Sequence, residues 1–196
     1  MTEDTISAVV LAGGRATRMG GQDKGLIKIA GRNIVTRITR QLSTQVEEIV
    51  INANRNLEQY AELGYPVVSD KMDDYQGPLA GMAAAFSIIR HQWLLTAPCD
   101  GPYIAADYCV RMLAQAKKDC SKIAVATDGN RLQPVYALIH RDLIGSLNDF
   151  LQSDERKIDR WYQQHSFTQV AFADDEMFTN INTPQQLEEV EKKLSR

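Results

Sequence analysis

Residues 6–24 read ISAVVLAGGRATRMGGQDK, an apolar run that stops at two glycines and is followed by cations. The apolar run Ile6–Ala12 has the length and content of a buried strand. Glycines directly after such a strand let backbone N–H groups approach a phosphate closely. Arg15, Arg18 and Lys24 then place three positive charges in one loop. A triphosphate needs this combination, whereas the alternative is a glycine-rich turn with solvated cations.

Two familiar phosphate-binding loops are excluded by the order of these residues. A P-loop ends in Gly-Lys followed by Ser or Thr, but here Lys24 precedes Gly25. The dinucleotide fingerprint G-x-G-x-x-G occurs nowhere in the chain. A phosphate site here must therefore be of another kind.

Short apolar runs alternate with amphipathic segments along the rest of the chain. Strands are predicted at 48–53, 66–69, 93–97, 123–126, 134–140 and 170–172, and helices at 34–45, 57–63, 79–90, 104–118, 141–152, 155–164 and 185–194. Apolar strands that alternate with helices are typical of a mostly parallel sheet covered on both faces. We predict one α/β domain over residues 1–196, a single doubly wound, Rossmann-like sheet with helices on both faces.

The last helix carries the clearest boundary signals. Thr183 is a natural N-cap, Pro184 takes the first helical position, and Gln186 completes a capping box. Just before it, Asn180 and Asn182 flank Ile181. If that stretch is extended, both asparagine side chains lie on one side, where they either face a ligand or cap the turn.

Polar residues stand where the predicted strands end. Asn52, Asp70 and Asp100 each lie at or near such an end, as Gly13 does after the first strand. The carboxyl ends of parallel strands meet at one edge, where ligands bind in open α/β sheets. We therefore predict one cleft that contains all four residues.

Asp100 is the predicted metal ligand of this cleft. It lies between Pro98 and Pro102, and Mg²⁺ is commonly bound by one or two carboxylates together with phosphate oxygens. The alternative is that Asp100 caps the helix predicted from Ile104. For Asp70 the alternative is a residue that only turns the chain.

The segment Gly77-Pro78-Leu79-Ala80-Gly81 precedes a helix rich in small residues. Small residues let a flat ring lie against the backbone, so this loop is a candidate for reading a purine edge. A tight turn followed by close helix packing is the alternative.

Composition excludes several other classes of function. The net charge is −3, which argues against a broad basic surface for nucleic acid. The three cysteines lack C-x-x-C spacing, so we expect reduced thiols in the cytosol rather than disulfides or a zinc site. No signal peptide is predicted, and no apolar stretch approaches the roughly 20 residues that span a bilayer.

With these residues identified, the sequence closely resembles the molybdenum cofactor guanylyltransferases, the MobA-type enzymes of the nucleotidyltransferase superfamily. The resemblance covers essentially the whole chain. It is carried by LAGGRATRMGGQDKG at 11–25, INANR at 51–55, VVSD at 67–70, GPLAGM at 77–82, PCDGPYI at 98–104, DERK at 154–157 and NINTPQQL at 180–187.

The resemblance implies a division of labour among residues. Those matching Leu11, Ala12, Gly13, Lys24, Asn52, Asp70 and Asp100 would hold GTP, with Gly14 and Arg18 at the phosphates, Gly81 near guanine, and Arg156, Asn180 and Asn182 at the pterin. Residues 1–105 would then bind GTP and residues 106–196 the molybdopterin. Asp100 would bind magnesium, with manganese as the alternative, and Arg18, Lys24 and Asp100 would be catalytic.

The implied reaction is transfer of GMP from GTP to the terminal phosphate of molybdopterin in the cytoplasm. Other molybdenum-cofactor biosynthesis proteins and molybdoenzyme chaperones are the implied partners. Two alternatives stay open at this point. One is another nucleotidyltransferase, either a molybdenum cofactor cytidylyltransferase or a sugar-1-phosphate enzyme. The other is a non-catalytic cofactor carrier, which would have no use for a metal-binding carboxylate.

Overall fold

The computed structural model describes residues 4–14, 23–71, 77–153, 155–172 and 176–194. Within them the strands are β1 (Ile6–Leu11), β2 (Lys28–Ile29), β3 (Arg32–Asn33), β4 (Glu48–Asn52), β5 (Val67–Val68), β6 (Trp93–Pro98), β7 (Ile123–Thr127), β8 (Leu132–His140) and β9 (Thr168–Ala171). The helices are α1 (Ile34–Leu42), α2 (Leu57–Ala61), α3 (Pro78–Phe86), α4 (Tyr108–Lys118), α5 (Ile144–Gln152), α6 (Ile158–Gln163) and α7 (Pro184–Leu194).

One mostly parallel sheet organises the described part of the chain. Its strands lie in the order β5-β4-β1-β6-β8-β7-β9. The pairs β1–β4, β1–β6, β4–β5 and β7–β9 are parallel, whereas β8 runs antiparallel to both β6 and β7. The predicted fold class is thereby confirmed.

The helices cover both faces because successive residues of a strand point to opposite sides. In β1, Ala8 and Val10 join a core with α1 and α4, while Val9 and Leu11 join a second core with α3, α5 and α6. Every residue of β1 is buried. A strand that is apolar apart from Ser7, whose hydroxyl donates to Glu48, fits this central place in the sheet.

The predicted helix 104–118 begins four residues late, at Tyr108. The segment before Tyr108 is not helical, because Gln41 of α1 and Gln45 of the turn after α1 form hydrogen bonds with the backbone of that segment. Gln41 Nε2 donates to the Pro102 carbonyl at 3.0 Å, and Ile104 N donates to Gln41 Oε1 at 2.9 Å. Gln45 Nε2 donates to the Ala105 carbonyl at 3.0 Å. Tertiary contacts thus override the local helical pattern.

Other boundaries differ by a few residues. Predicted helices 34–45, 57–63 and 79–90 end early, at Leu42, Ala61 and Phe86, and the predicted strands 134–140 and 170–172 begin at Leu132 and Thr168. The β2–β3 hairpin was not predicted. Its turn uses Ala30 (φ 47°) and Gly31 (φ 77°), a left-handed pair that suits a two-residue hairpin.

The capping box predicted for the last helix is confirmed. Gln186 N donates to Thr183 Oγ1 at 3.2 Å, and Thr183 N donates to Gln186 Oε1 at 3.1 Å. Pro184 is the first residue of α7.

The cysteines are free, with Cys99 and Cys109 buried and Cys120 exposed. None of the helices in the described ranges has the length and apolar character to span a membrane.

Candidate active site

The carboxyl ends of four parallel strands form one rim, as predicted. Leu11 pairs in register with Asn52 on one side and with Pro98 on the other, and Asn52 pairs with Val68. Beside this rim lies a cavity of about 410 Å³, lined by Leu11, Gly13, Gly14, Asn52, Asp70, Gly77, Pro78, Pro98, Asp100 and Val135. Its volume falls in the range of small-molecule sites.

Lys24 and Asp100 meet at this rim although 76 residues separate them. Lys24 Nζ lies 3.1 Å from Asp100 Oδ2, and it also donates to Asn182 Oδ1 at 2.5 Å. About a fifth of each side chain of the ion pair is exposed, 20% for Lys24 and 22% for Asp100. Both charged groups are therefore accessible to a ligand.

The alternative role for Asp100, as the cap of the following helix, is wrong. That helix begins at Tyr108, and its N-cap residue is Asp107. Asp100 lies seven residues before it, in the turn after β6. Its carboxylate is left available for the cleft.

Asp70 is held by two asparagines. Asn52 Nδ2 donates to Asp70 Oδ1 at 2.8 Å, and Asn54 Nδ2 donates to Asp70 Oδ2 at 2.7 Å. Asp70 N donates in return to Asn54 Oδ1 at 2.9 Å. Asp70 thus does more than turn the chain, since it joins the ends of β4 and β5 beside the cavity. Sequence reasoning missed Asn54, whose only signal was its period-2 spacing from Asn52.

Asp23 anchors the loop that presents Lys24, and it was also missed. Only 4% of its side chain is exposed. It accepts hydrogen bonds from the Tyr60 hydroxyl at 2.6 Å and from Asn56 Nδ2 at 3.2 Å, and Arg55 Nε lies 3.6 Å away. Burial, together with nearby acidic groups, raises the pKa of Tyr60, so its hydroxyl stays protonated and donates. A buried aspartate needs such partners.

Gly81 lies behind the cavity wall rather than among its lining residues. A Cβ at this position would lie 2.3 Å from Asn52 Oδ1 and 2.7 Å from Leu11 Cδ2. The geometry supports the close-packing interpretation of this glycine, because α3 can approach β1 and β4 only without a side chain there. Its contact with guanine stays a prediction.

We expect Gly81→Ala to lower the free energy of unfolding by about 1–3 kcal/mol, the usual cost of overpacking. It should also weaken GTP binding, because the clash displaces Asn52 and with it Asp70. The matched control is Gly145→Ala in α5, where an added Cβ meets no atom of the described part of the chain within 4 Å. Denaturant unfolding of both variants tests this, and equal stabilities would contradict it.

The cavity mouth is bounded by the start of α3. Gly77 has a φ of 78° and precedes Pro78 at the first helical position. This left-handed conformation favours glycine. Gly77 and Pro78 line the cavity, and the carbonyl of Arg156 lies 3.9 Å from where a Cβ of Gly77 would be. Arg156 is thus brought beside the predicted purine loop.

The predicted pterin residues Asn180 and Asn182 do not line the cavity and have different neighbours. Asn180 is exposed, and its Oδ1 lies 3.6 Å from the position of a Cβ on Gly101. Asn182 instead contacts Lys24. Ile181 between them is buried, and its N–H donates to the Asp100 carbonyl at 2.9 Å.

Three further predicted residues are Ala12, Gly14 and Arg18. Ala12 is buried, and its N–H donates to the Asn52 carbonyl at 2.8 Å. Gly14 lines the cavity. Arg18, a predicted catalytic residue, lies outside the described residues.

Cys99, next to Asp100, is buried, and burial raises the pKa of its thiol. This environment fits a small apolar side chain that fills space rather than a nucleophile.

Comparisons with known proteins agree with this geometry. Residues 8–170 match the family described as MobA-like NTP transferase domain. The molybdenum cofactor guanylyltransferase of Shewanella sediminis (strain HAW-EB3) is 44% identical over 192 residues, 97% of this chain and 98% of that protein. The enzyme of the same name from Shewanella frigidimarina (strain NCIMB 400) is 45% identical, with the same coverage.

A solved structure shows the same fold at lower sequence identity. It is the crystal structure of molybdopterin-guanine dinucleotide biosynthesis protein A from Archaeoglobus fulgidus. The TM-score is 0.80 at 20% identity, and the superposition covers 96% of this chain and 98% of that one. From its matched family and its shared architecture, this chain belongs to the MobA-like NTP transferase family.

Proposed function

We propose that this protein transfers GMP from GTP to the terminal phosphate of molybdopterin, forming the guanine dinucleotide form of the cofactor and releasing pyrophosphate. The observation that carries the proposal is that the Gly13-Gly14 turn and Asp100 line one cavity, with Lys24 paired to the Asp100 carboxylate at 3.1 Å. The chain is also 44% identical, over nearly its full length, to a protein named molybdenum cofactor guanylyltransferase.

The cavity suits a nucleotide because its walls and its ends differ in character. Leu11, Pro78, Pro98 and Val135 supply apolar walls, and Asp70 and Asp100 supply polar ends. An apolar pocket with a few placed polar groups is the usual form of a small-molecule site. We assign the base to the side near Gly77 and Pro78, and the phosphates to the side near Gly13 and Lys24.

The glycine turn can approach phosphates closely. At Gly14 an added Cβ would meet no atom of the described residues within 4 Å. At Gly13 an added Cβ would lie 2.9 Å from Asn54 Nδ2, so a side chain there would disturb the asparagines that hold Asp70. Backbone amides and the Lys24 ammonium then favour a polyphosphate by charge and hydrogen bonding.

The reaction needs no general base, since the acceptor phosphate is anionic at neutral pH. One of its oxygens forms a bond to the α-phosphorus of GTP, and the bond between that phosphorus and the bridging oxygen to the β-phosphate breaks. The bridging oxygen leaves with the electron pair as part of pyrophosphate. Lys24 stabilises the charge that builds on this leaving group, so positioning and electrostatics supply most of the catalysis.

Asp100 fits the role of magnesium ligand. The described residues contain no cluster of three or more His, Cys, Asp or Glu that could hold a metal alone, and Mg²⁺ bound with a nucleotide needs only one or two protein carboxylates. Asp100 offers a partly exposed carboxylate on the cavity. Bound there with GTP, magnesium would supply Lewis-acid neutralisation of phosphate charge, and manganese would serve in the same way.

The protein's cellular location and its partner proteins can also be proposed. The free cysteines support a reducing compartment, so we propose a cytoplasmic location. We also propose exchange of the cofactor with other biosynthesis proteins and molybdoenzyme chaperones. The division into a GTP half and a pterin half stays a prediction. The C-terminal half already contributes Val135 to the cavity and Asn182 to Lys24.

We expect pyrophosphate release with GTP, magnesium and molybdopterin together, and much less with ATP, CTP or UTP. Base selection is expected because polar groups that pair with one base reject another. The measurement is coupled pyrophosphate detection over all four nucleotides, with the acceptor omitted as control. A preference for CTP would overturn guanylyl transfer, and no release with any nucleotide would favour a carrier.

A further inference from the structure

A chain of hydrogen bonds connects the first turn of α7 to the ammonium of Lys24. Gln186 Oε1 accepts from the N–H of Asn182 at 2.8 Å and from that of Thr183 at 3.1 Å. Asn182 Oδ1 then accepts from Lys24 Nζ at 2.5 Å. Asn182 lies 158 positions from Lys24 along the sequence, yet the chain of hydrogen bonds ends at the ammonium that we assign to the phosphates.

The backbone of Asn182 is held on both sides. On its N-terminal side, Ile181 is fully buried and its N–H donates to the Asp100 carbonyl at 2.9 Å. On its C-terminal side, the capping box holds the N–H groups of Asn182 and Thr183. The backbone of Asn182 is therefore held in place, and its side-chain oxygen reaches the same ammonium that pairs with Asp100.

A lysine side chain benefits from such a fixed acceptor. Lysine has a long flexible stem and a point charge that bonds in many directions. Asp100 alone would hold Lys24 by a single ion pair, in which exposed groups reorient readily. Asn182 adds a second, uncharged acceptor, so two hydrogen bonds in different directions aim the ammonium along the rim.

We propose that Gln186 and Asn182 are positioning residues for Lys24, and that the capping box of α7 is thereby part of the active site. The inference rests on the proposed function. This positioning role differs from the interpretation of Asn182 as a pterin ligand, because Gln186 acts on Lys24 from a distance, through the backbone of Asn182. Loss of Gln186 should change the chemical step, while loss of a pterin ligand should change the KM for molybdopterin.

The test compares two neighbouring glutamines of one helix. Gln186→Ala should lower kcat about tenfold, the scale of a modest misplacement of a catalytic group. It should leave the KM for molybdopterin within about twofold. Gln185→Ala is the matched control, since Gln185 is exposed in the same first turn, and its kcat should stay within about twofold of wild type. Gln186→Glu restores the capping box and should recover kcat.

Asn182→Ala keeps the proposal testable if Gln186→Ala weakens the helix. Its backbone N–H still bonds Gln186, so α7 keeps its cap while Lys24 loses its acceptor. We expect a fall in kcat at least as large as that of Gln186→Ala. Thermal unfolding of each variant separates folding from catalysis.

Different results would contradict the inference and the proposed function. An unchanged kcat in Asn182→Ala, or a change confined to the KM for molybdopterin, would overturn the inference and leave Asn182 as a pterin ligand. Failure of Gln186→Glu to recover kcat would also count against it. A wild-type protein that releases no pyrophosphate from GTP would instead refute the proposed function, and so the two failures are distinguishable.

Discussion

Asp100→Ala is expected to lower turnover by about 100-fold or more, because it removes the carboxylate that would hold the metal at the phosphates. The change also leaves Lys24 with Asn182 as its remaining described partner. Asp100 lies in the turn after β6, and its carbonyl accepts the N–H of Ile181. Since that backbone bond does not depend on the side chain, the variant should fold. Steady-state pyrophosphate release with GTP and magnesium measures the effect.

A second measurement tests metal binding separately from turnover. Mn²⁺ bound together with GTP, followed by electron paramagnetic resonance, should be held much more weakly by Asp100→Asn than by wild type. Asp107→Ala is the matched control, because Asp107 is an exposed carboxylate of the same segment, ion-paired to Arg111 at 3.5 Å. It should behave like wild type. Near-wild-type turnover of Asp100→Ala would overturn the metal assignment.

Strand ends were the part of the site that the sequence predicted well. The reason is geometric, since parallel neighbours in register bring their carboxyl ends to one edge. Leu11 opposite Asn52 and Pro98 is such a register. Gly13, Asp70 and Asp100 then follow from the ends of buried apolar runs, which are the most readable elements of an α/β chain. The fold class followed from the same pattern.

Contacts between segments that are far apart along the chain could not be predicted from the sequence. The bond between Lys24 and Asn182 depends on how α7 docks, and no local pattern encodes that docking. The burial of Asp23 under Tyr60 likewise arises from the packing of α2 against Asp23 and Gly25. The late start of α4 has the same cause, because Gln41 of α1 and Gln45 after it satisfy the backbone before α4. Propensity is a weak guide wherever tertiary partners compete.

Gly81 illustrates a residue for which the sequence left two roles open, contact with the base and close helix packing. The structure places Asn52 and Leu11 against it, which supports the packing role, while the contact with guanine stays a prediction. Its influence on the nucleotide then passes through Asn52, which donates to Asp70 at 2.8 Å. Only the packing partner, which the sequence does not reveal, separates these two roles.

Lys24→Ala is expected to lower turnover by about 100-fold, comparable to the loss of Asp100, because it removes the cation that stabilises the departing pyrophosphate. Lys28→Ala is the matched control, since Lys28 is exposed in the following strand and the two variants change the net charge equally. Lys24 and Asp100 are in contact, so the double variant should cost less than the product of the single effects. Steady-state and single-turnover kinetics of the three variants test this. A large rise in the KM for GTP with an unchanged single-turnover rate would make Lys24 a binding residue only.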